Sequence, residues 1–173
     1  MQSGGAATKS PCSYGMSRIT SVRRDERGAA LVEAAFMLPL FLALVGGVYE
    51  FGFFLYQQQM VSAGVRDAAR YLALTANPND IITQGAARNL AVSGYVQGGP
   101  PRVAGWSTAE VLVLVTPIDN SSGTFGGGSP VEVVSVSTRF TYASLGFLGL
   151  LGLAPPTITV THQERHVGGS APG

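Results

Sequence analysis

With 173 residues, 46% of them hydrophobic and 12% charged, the chain has room for one modest core plus a membrane segment rather than for two full domains. The formal net charge of +1 conceals an asymmetry: residues 1–28 carry Lys9, Arg18, Arg23, Arg24 and Arg27 against Asp25 and Glu26, whereas residues 29–173 carry six Arg against eight carboxylates. No basic cluster stands beyond residue 28, which argues against nucleic acid as a partner, and the sole cysteine, Cys12, precedes the apolar stretch, so the C-terminal part of the chain can form neither a disulfide nor a cysteine-based metal site.

Residues 1–17 are rich in Gly, Ser and Thr without periodicity and read as a disordered lead-in. Met16 offers an alternative start to Met1 and would leave a compact basic leader, MSRITSVRRDERG. The residues beside Cys12 lack the apolar run that precedes a lipid-modified cysteine.

From Ala29 to Tyr49 the chain reads AALVEAAFMLPLFLALVGGVY, an apolar run broken by one charge, Glu33. About 20 such residues suffice to cross a bilayer core as a helix. Four Arg stand just before this run and the next basic residue after it is Arg66, so the positive-inside rule predicts a single-pass protein with a cytoplasmic N-terminus and an exported C-terminal part. An Ala-x-Ala cleavage site is not evident where the run ends in GGVYEFGFFLYQQQ, so release by signal peptidase is not expected. Glu50 reads as a helix-end carboxylate at the outer interface, with a second intersubunit contact as the other reading.

Val61, Val65, Ala68, Ala69 and Leu72 recur at helical spacing among polar residues, so one helix is predicted to continue from Ala29 to about Ala73, roughly 65–70 Å at 1.5 Å per residue. It should bend at Pro39, which cannot donate to the carbonyl of Ala35, and end before Asn77-Pro78. A short helix is predicted over 80–92, capped by Asn79 or Asp80 and ended near Gly94. The period then changes. Val111–Val115, bounded by Pro117, the alternating set Val134, Val136, Thr138, Phe140 and Tyr142, and Thr157–His162 read as three strands of a small antiparallel sheet. The expected fold class is α+β and pilin-like: a long N-terminal helix, a short helix and a sheet whose buried face is covered by the 61–72 stripe. The expected organisation is a basic leader over 1–28, a long helix over 29–74 with its membrane segment at about 29–49, and an exported head over 75–173 with a flexible C-terminal tail.

Motifs for catalysis are weak. His162-Gln163-Glu164-Arg165-His166 lacks the zinc-protease order, in which the glutamate directly follows the first histidine on a helix, and reads as a solvated strand end. Gly126-Gly127-Gly128 lacks the phosphate-loop lysine and reads as a flexible turn. The expectation is therefore no enzyme, no cofactor, no metal and no small-molecule substrate. The apolar run Leu145–Leu153 is too short to span a bilayer and is expected to fold as a loop or short helix over the sheet, with a membrane-surface or partner-binding patch as the alternative.

The most informative stretch is Arg27-Gly28-Ala29-Ala30-Leu31-Val32-Glu33: a glycine between basic and apolar segments, with a glutamate five residues on. A carboxylate one turn inside a bilayer costs about 2.5–3.5 kcal/mol on insertion scales and calls for a partner. Here the sequence resembles the type IV prepilin-like proteins. That resemblance implies cleavage by a membrane prepilin peptidase after Gly28, Ala29 as the new N-terminus, and Glu33 as the fifth mature residue. An amine freed at Ala29 could be neutralised by Glu33 of a neighbouring subunit, which would set the axial stagger of packed helices.

The wider stretch from Arg27 to Ala73 resembles the TadE-like family of the tight-adherence, or Flp-type, pilus machinery. The features that carry this are Gly28, Val32-Glu33-Ala34, Pro39 after an apolar run, Glu50, and Ala68-Ala69-Arg70-Tyr71. It implies a pseudopilin of the inner membrane that supports pilus assembly and adhesion, with the prepilin peptidase, other pilin-like subunits and assembly proteins as partners and with Gly28, Ala29, Glu33 and Pro39 as the residues of processing and assembly. A major Flp pilin would carry Tyr after Glu33 and stop soon after the helix; Ala34 and the further hundred residues point to a minor component. The alternative is an uncleaved, membrane-anchored periplasmic binding module.

Overall fold

The computed structural model describes Gly5, residues 26–125 and residues 130–168. Most of the leader, the Gly126–Gly128 turn and the tail after Gly168 lie outside the described residues. The chain divides into two compact units, Met1–Pro39 and Leu40–Gly173. In the first, the described structure is the opening of helix α1. In the second, a helical stripe, a short helix and a sheet enclose one core.

Helix α1 spans Glu26–Leu74 with Pro39 inside it. It begins three residues before Ala29 and ends where Asn77-Pro78 forbids continuation. Helix α2, Ile81–Ser93, starts at Asp80, whose carboxylate accepts from the Thr83 backbone N–H at 2.9 Å, and stops at Gly94, which takes a left-handed φ of 87°. Both ends match the capping expected from the sequence.

The sheet is antiparallel in the order β1-β2-β3, with β1 at Val111–Ile118, β2 at Val131–Thr141 and β3 at Thr157–Arg165. Val111 faces Thr138 across the first ladder and Phe140 faces Ile158 across the second. Strand β1 passes through Pro117 instead of stopping before it. This is permitted because β1 is an edge strand, where a missing N–H donor removes no bond on the open side. Strand β3 continues past His162 to Arg165 because β2 supplies partners as far as Val133.

One face of the sheet is buried through Val134, Val136, Thr138 and Phe140. The α1 residues Val61, Val65, Ala68, Ala69 and Leu72 cover it with no exposed surface at all, joined by Ala87 and Ala91 of α2. The 61–72 stripe is thus the cover its periodicity indicated. At the centre Trp106 stacks on Phe140 at 5.9 Å and donates its indole N–H to the Thr138 hydroxyl at 2.9 Å. That hydroxyl in turn donates to the Glu110 carbonyl at 2.9 Å, so a buried polar pair is fully satisfied.

The end of β3 is less solvated than its composition implies. His162 and Glu164 pair at 3.0 Å on a partly exposed face, but His166 is buried to 13% exposure, with Nε2 2.8 Å from the Thr75 carbonyl and Nδ1 3.6 Å from Glu132. Because the Thr75 carbonyl can only accept, Nε2 carries the proton. The N–H groups of Val167 and Gly168 both donate to the Ala73 carbonyl, so this segment satisfies an acceptor that the last turn of α1 leaves open.

Candidate functional site

The surface that distinguishes this chain is the first half of α1. Leu31, Phe36, Met37, Leu40, Phe41 and Leu44 are all more than half exposed, and only 6% of the most apolar 18-residue window is buried by the rest of the chain. A core helix of a water-soluble domain would be covered by its own fold. An apolar helical surface of this extent left uncovered makes this stretch a candidate membrane span. Glu33 lies on this surface, exposed, and among the described residues no hydrogen bond or ion pair reaches it. Gly28 and Ala29 fall in the opening turn of α1, and Pro39 lies inside the apolar stretch.

A second feature sits where the apolar stretch ends. Glu50 is 2% exposed, although it is a carboxylate. Its oxygens accept from the backbone N–H of Leu145 at 2.9 Å and of Phe147 at 3.3 Å. Gly146 between them adopts φ 108°, a conformation that aims both N–H groups at one acceptor. One turn earlier, Gly46 leaves space for the Phe147 ring, which a Cβ there would strike. Tyr142 completes the contact: its ring meets Phe54 edge-on at 5.4 Å and its hydroxyl donates to the Glu50 carbonyl at 3.4 Å. Burial first, and the Glu50 carboxylate second, push the Tyr142 hydroxyl up to about 12, so it stays protonated over the physiological range.

Glu50 is therefore neither an exposed interface carboxylate nor free for an intersubunit contact; it is an intramolecular clasp. The 145–153 run forms the short helix α3 at Phe147–Leu150, tied to α1 through Glu50 and Gly46, while Leu148 packs against the core. A sequence reading misses this because the donors are main-chain groups; the available signal is the pairing of Gly46 with Glu50 at i, i+4, on one helix face.

Gly28, Glu33, Gly46 and Glu50 all lie within one region of similarity. Residues 28–70 match the TadE-like protein family. No curated protein and no solved structure matches the chain. The TadE-like match begins at Gly28, the glycine between the basic and apolar segments, and ends at Arg70, so the sheet lies beyond it. It suggests a protein associated with the Tad/Flp pilus, and the candidate membrane span agrees with membrane anchoring. Within the match, Ala68 and Ala69 are fully buried against the head whereas Arg70 is exposed, so this part of the motif serves packing. Among the described residues no group of three or more His, Cys, Asp or Glu is placed to hold a metal ion.

Proposed function

We propose that the chain is a minor, pilin-like subunit supporting assembly of a Tad/Flp-type pilus and the surface adhesion it serves. In this reading the basic leader is removed after Gly28 by the prepilin peptidase. The span at about 29–49 is held in the inner membrane or among other pilin-like helices, with the leader side cytoplasmic and the head over 75–173 on the outer side. The observation that carries the proposal is Glu33: a carboxylate exposed on an apolar helical surface that its own chain leaves uncovered, inside the TadE-like match. A simple anchor gains nothing from it, whereas a packed array of helices does. The freed Ala29 amine of one subunit meets the Glu33 carboxylate of the next, and each removes the cost of burying the other. Pro39, further along the helix, removes one backbone hydrogen bond and gives the packed segment a defined place to bend.

The test is Glu33→Leu in the native host, with pilus yield and membrane levels of the protein measured together. Loss of the ion pair from apolar surroundings removes about 3–5 kcal/mol from each contact, so pili should be lost while the protein remains in the membrane at its usual level. Normal pili at normal protein level would overturn the assembly role and leave the anchored binding module as the better account.

A further inference from the structure

The Leu145–Leu153 segment has two faces. Leu148 packs against the core of the head, while Leu150, Leu151 and Leu153 are 81%, 53% and 54% exposed. Most backbone donors of the segment are paired: the N–H groups of Leu150 to Leu153 donate to carbonyls between Gly146 and Gly149, that of Gly146 donates to the Ser144 hydroxyl, and those of Leu145 and Phe147 donate to Glu50. No residue between Arg139 and Glu164 carries a formal charge. An apolar, uncharged loop with most of its donors paired is cheaper to bring to the edge of the hydrocarbon than one with open donors, since each unsatisfied backbone group is costly there.

Its position on α1 selects the occupant. The Phe147 ring lies on Gly46, three residues before the apolar run ends at Tyr49, or about 5 Å inside the end of the span at 1.5 Å per residue. That is the depth at which interfacial apolar segments settle, about 5–10 Å into the boundary between headgroups and acyl chains. The exposed leucines thus belong to a segment tied to the end of the span through Gly46 and Glu50, and the absence of charge leaves nothing to specify a polar partner.

We propose that the 145–153 segment is a second membrane contact, a shallow wedge of Leu150, Leu151 and Leu153 held in the leaflet at the C-terminal end of the span by the Glu50 clasp. The wedge fixes the height and tilt of the head above the bilayer, which a single helix could not do. The inference rests on reading α1 as membrane-spanning.

The experiment uses the full chain with Cys12→Ser and single cysteines at Leu150, Leu153, Phe41 and Tyr95, each carrying an environment-sensitive fluorophore. The proteins are reconstituted into phosphatidylethanolamine–phosphatidylglycerol vesicles, with Trp106 emission confirming a folded head. Quenching is read with nitroxide-labelled lipid and with iodide on both sides of the membrane. The wedge predicts lipid quenching at Leu150 and Leu153 comparable to that at Phe41 and several-fold above that at Tyr95, with iodide showing the reverse order. Lipid quenching at Phe41 together with iodide quenching at Leu150 and Leu153 would overturn the wedge while keeping the span. Protection of both leucine positions from both quenchers would show a protein cover and also overturn it. Failure of lipid to quench Phe41 would remove the span and the wedge together.

Discussion

At Gly64 helix α1 lies close against the Ala91 carbonyl of α2, and adding one methyl group there sets two effects against each other. Gly64→Ala gains about 1 kcal/mol of helix propensity, since glycine is the poorer helix former. The new Cβ, however, would collide with the backbone carbonyl of Ala91 and stand 3.0 Å from the Trp106 ring. A carbonyl inside a helix cannot rotate away, and Ala91 and Trp106 are themselves buried, so α2 must move off the α1 stripe. Overpacking of this kind costs about 1–3 kcal/mol, and contact with main chain instead of a flexible side-chain end puts this case at the upper part of that range. The loss therefore wins, and net destabilisation of about 1–2 kcal/mol is expected. Gly85→Ala provides the control, because a Cβ there meets nothing within 4 Å and only the propensity gain remains. Denaturant unfolding of the purified chain in detergent, followed by fluorescence of Trp106, the only tryptophan, reads both. The midpoint should fall for Gly64→Ala and hold or rise for Gly85→Ala. A Gly64→Ala midpoint at or above that of the wild type would refute the close packing of α2 on α1.

Two further predictions concern single carboxylates. Glu50→Leu leaves the N–H groups of Leu145 and Phe147 without an acceptor, a local penalty of about 1–3 kcal/mol for each, while Glu50→Gln retains one acceptor oxygen. Chymotryptic cleavage within 145–153 in detergent should accelerate in the order wild type, Gln, Leu, and equal rates would refute the clasp. The Asp80 carboxyl is held below its ordinary value by the Thr83 backbone N–H and then the Thr83 hydroxyl. A depressed folded-state value means that the cap stabilises α2 above the unfolded value and is lost as pH falls through the folded one, so the loss belongs below the ordinary 3.8. Asp80→Asn, which caps without titrating, should show a smaller fall in thermal stability between about pH 6 and about pH 3 than the wild type, and an unchanged fall would exclude Asp80 from the acid response.

The legibility of each feature in the sequence depends on whether its decisive contacts are patterned. The α1 stripe, the Asp80 and Gly94 caps and the alternating β2 face are periodic or capping signals, so the α+β class and the burial of Val61 to Leu72 follow from residue spacing. Strand ends are less legible because pairing decides them: Pro117 is accommodated by the edge position of β1, and β3 reaches Arg165 because β2 extends opposite it. Three features are hidden because main-chain atoms make them. These are the Glu50 clasp, the closure of α1 by Val167 and Gly168, and the need for glycine at position 64. At the N-terminal end, Gly28 and Glu33 are legible as a motif since the chemistry proposed for them is covalent processing and intersubunit pairing, neither of which depends on the chain's own core.

Whether α1 becomes the N-terminus of an assembling subunit is read by N-terminal sequencing of the protein extracted from membranes of cells that contain the prepilin peptidase. The account predicts a chain beginning at Ala29 for the wild type and a retained leader for Gly28→Val, since a bulky residue at the cut excludes the peptidase. A wild-type protein that keeps its leader intact would contradict the account and make α1 a plain membrane anchor.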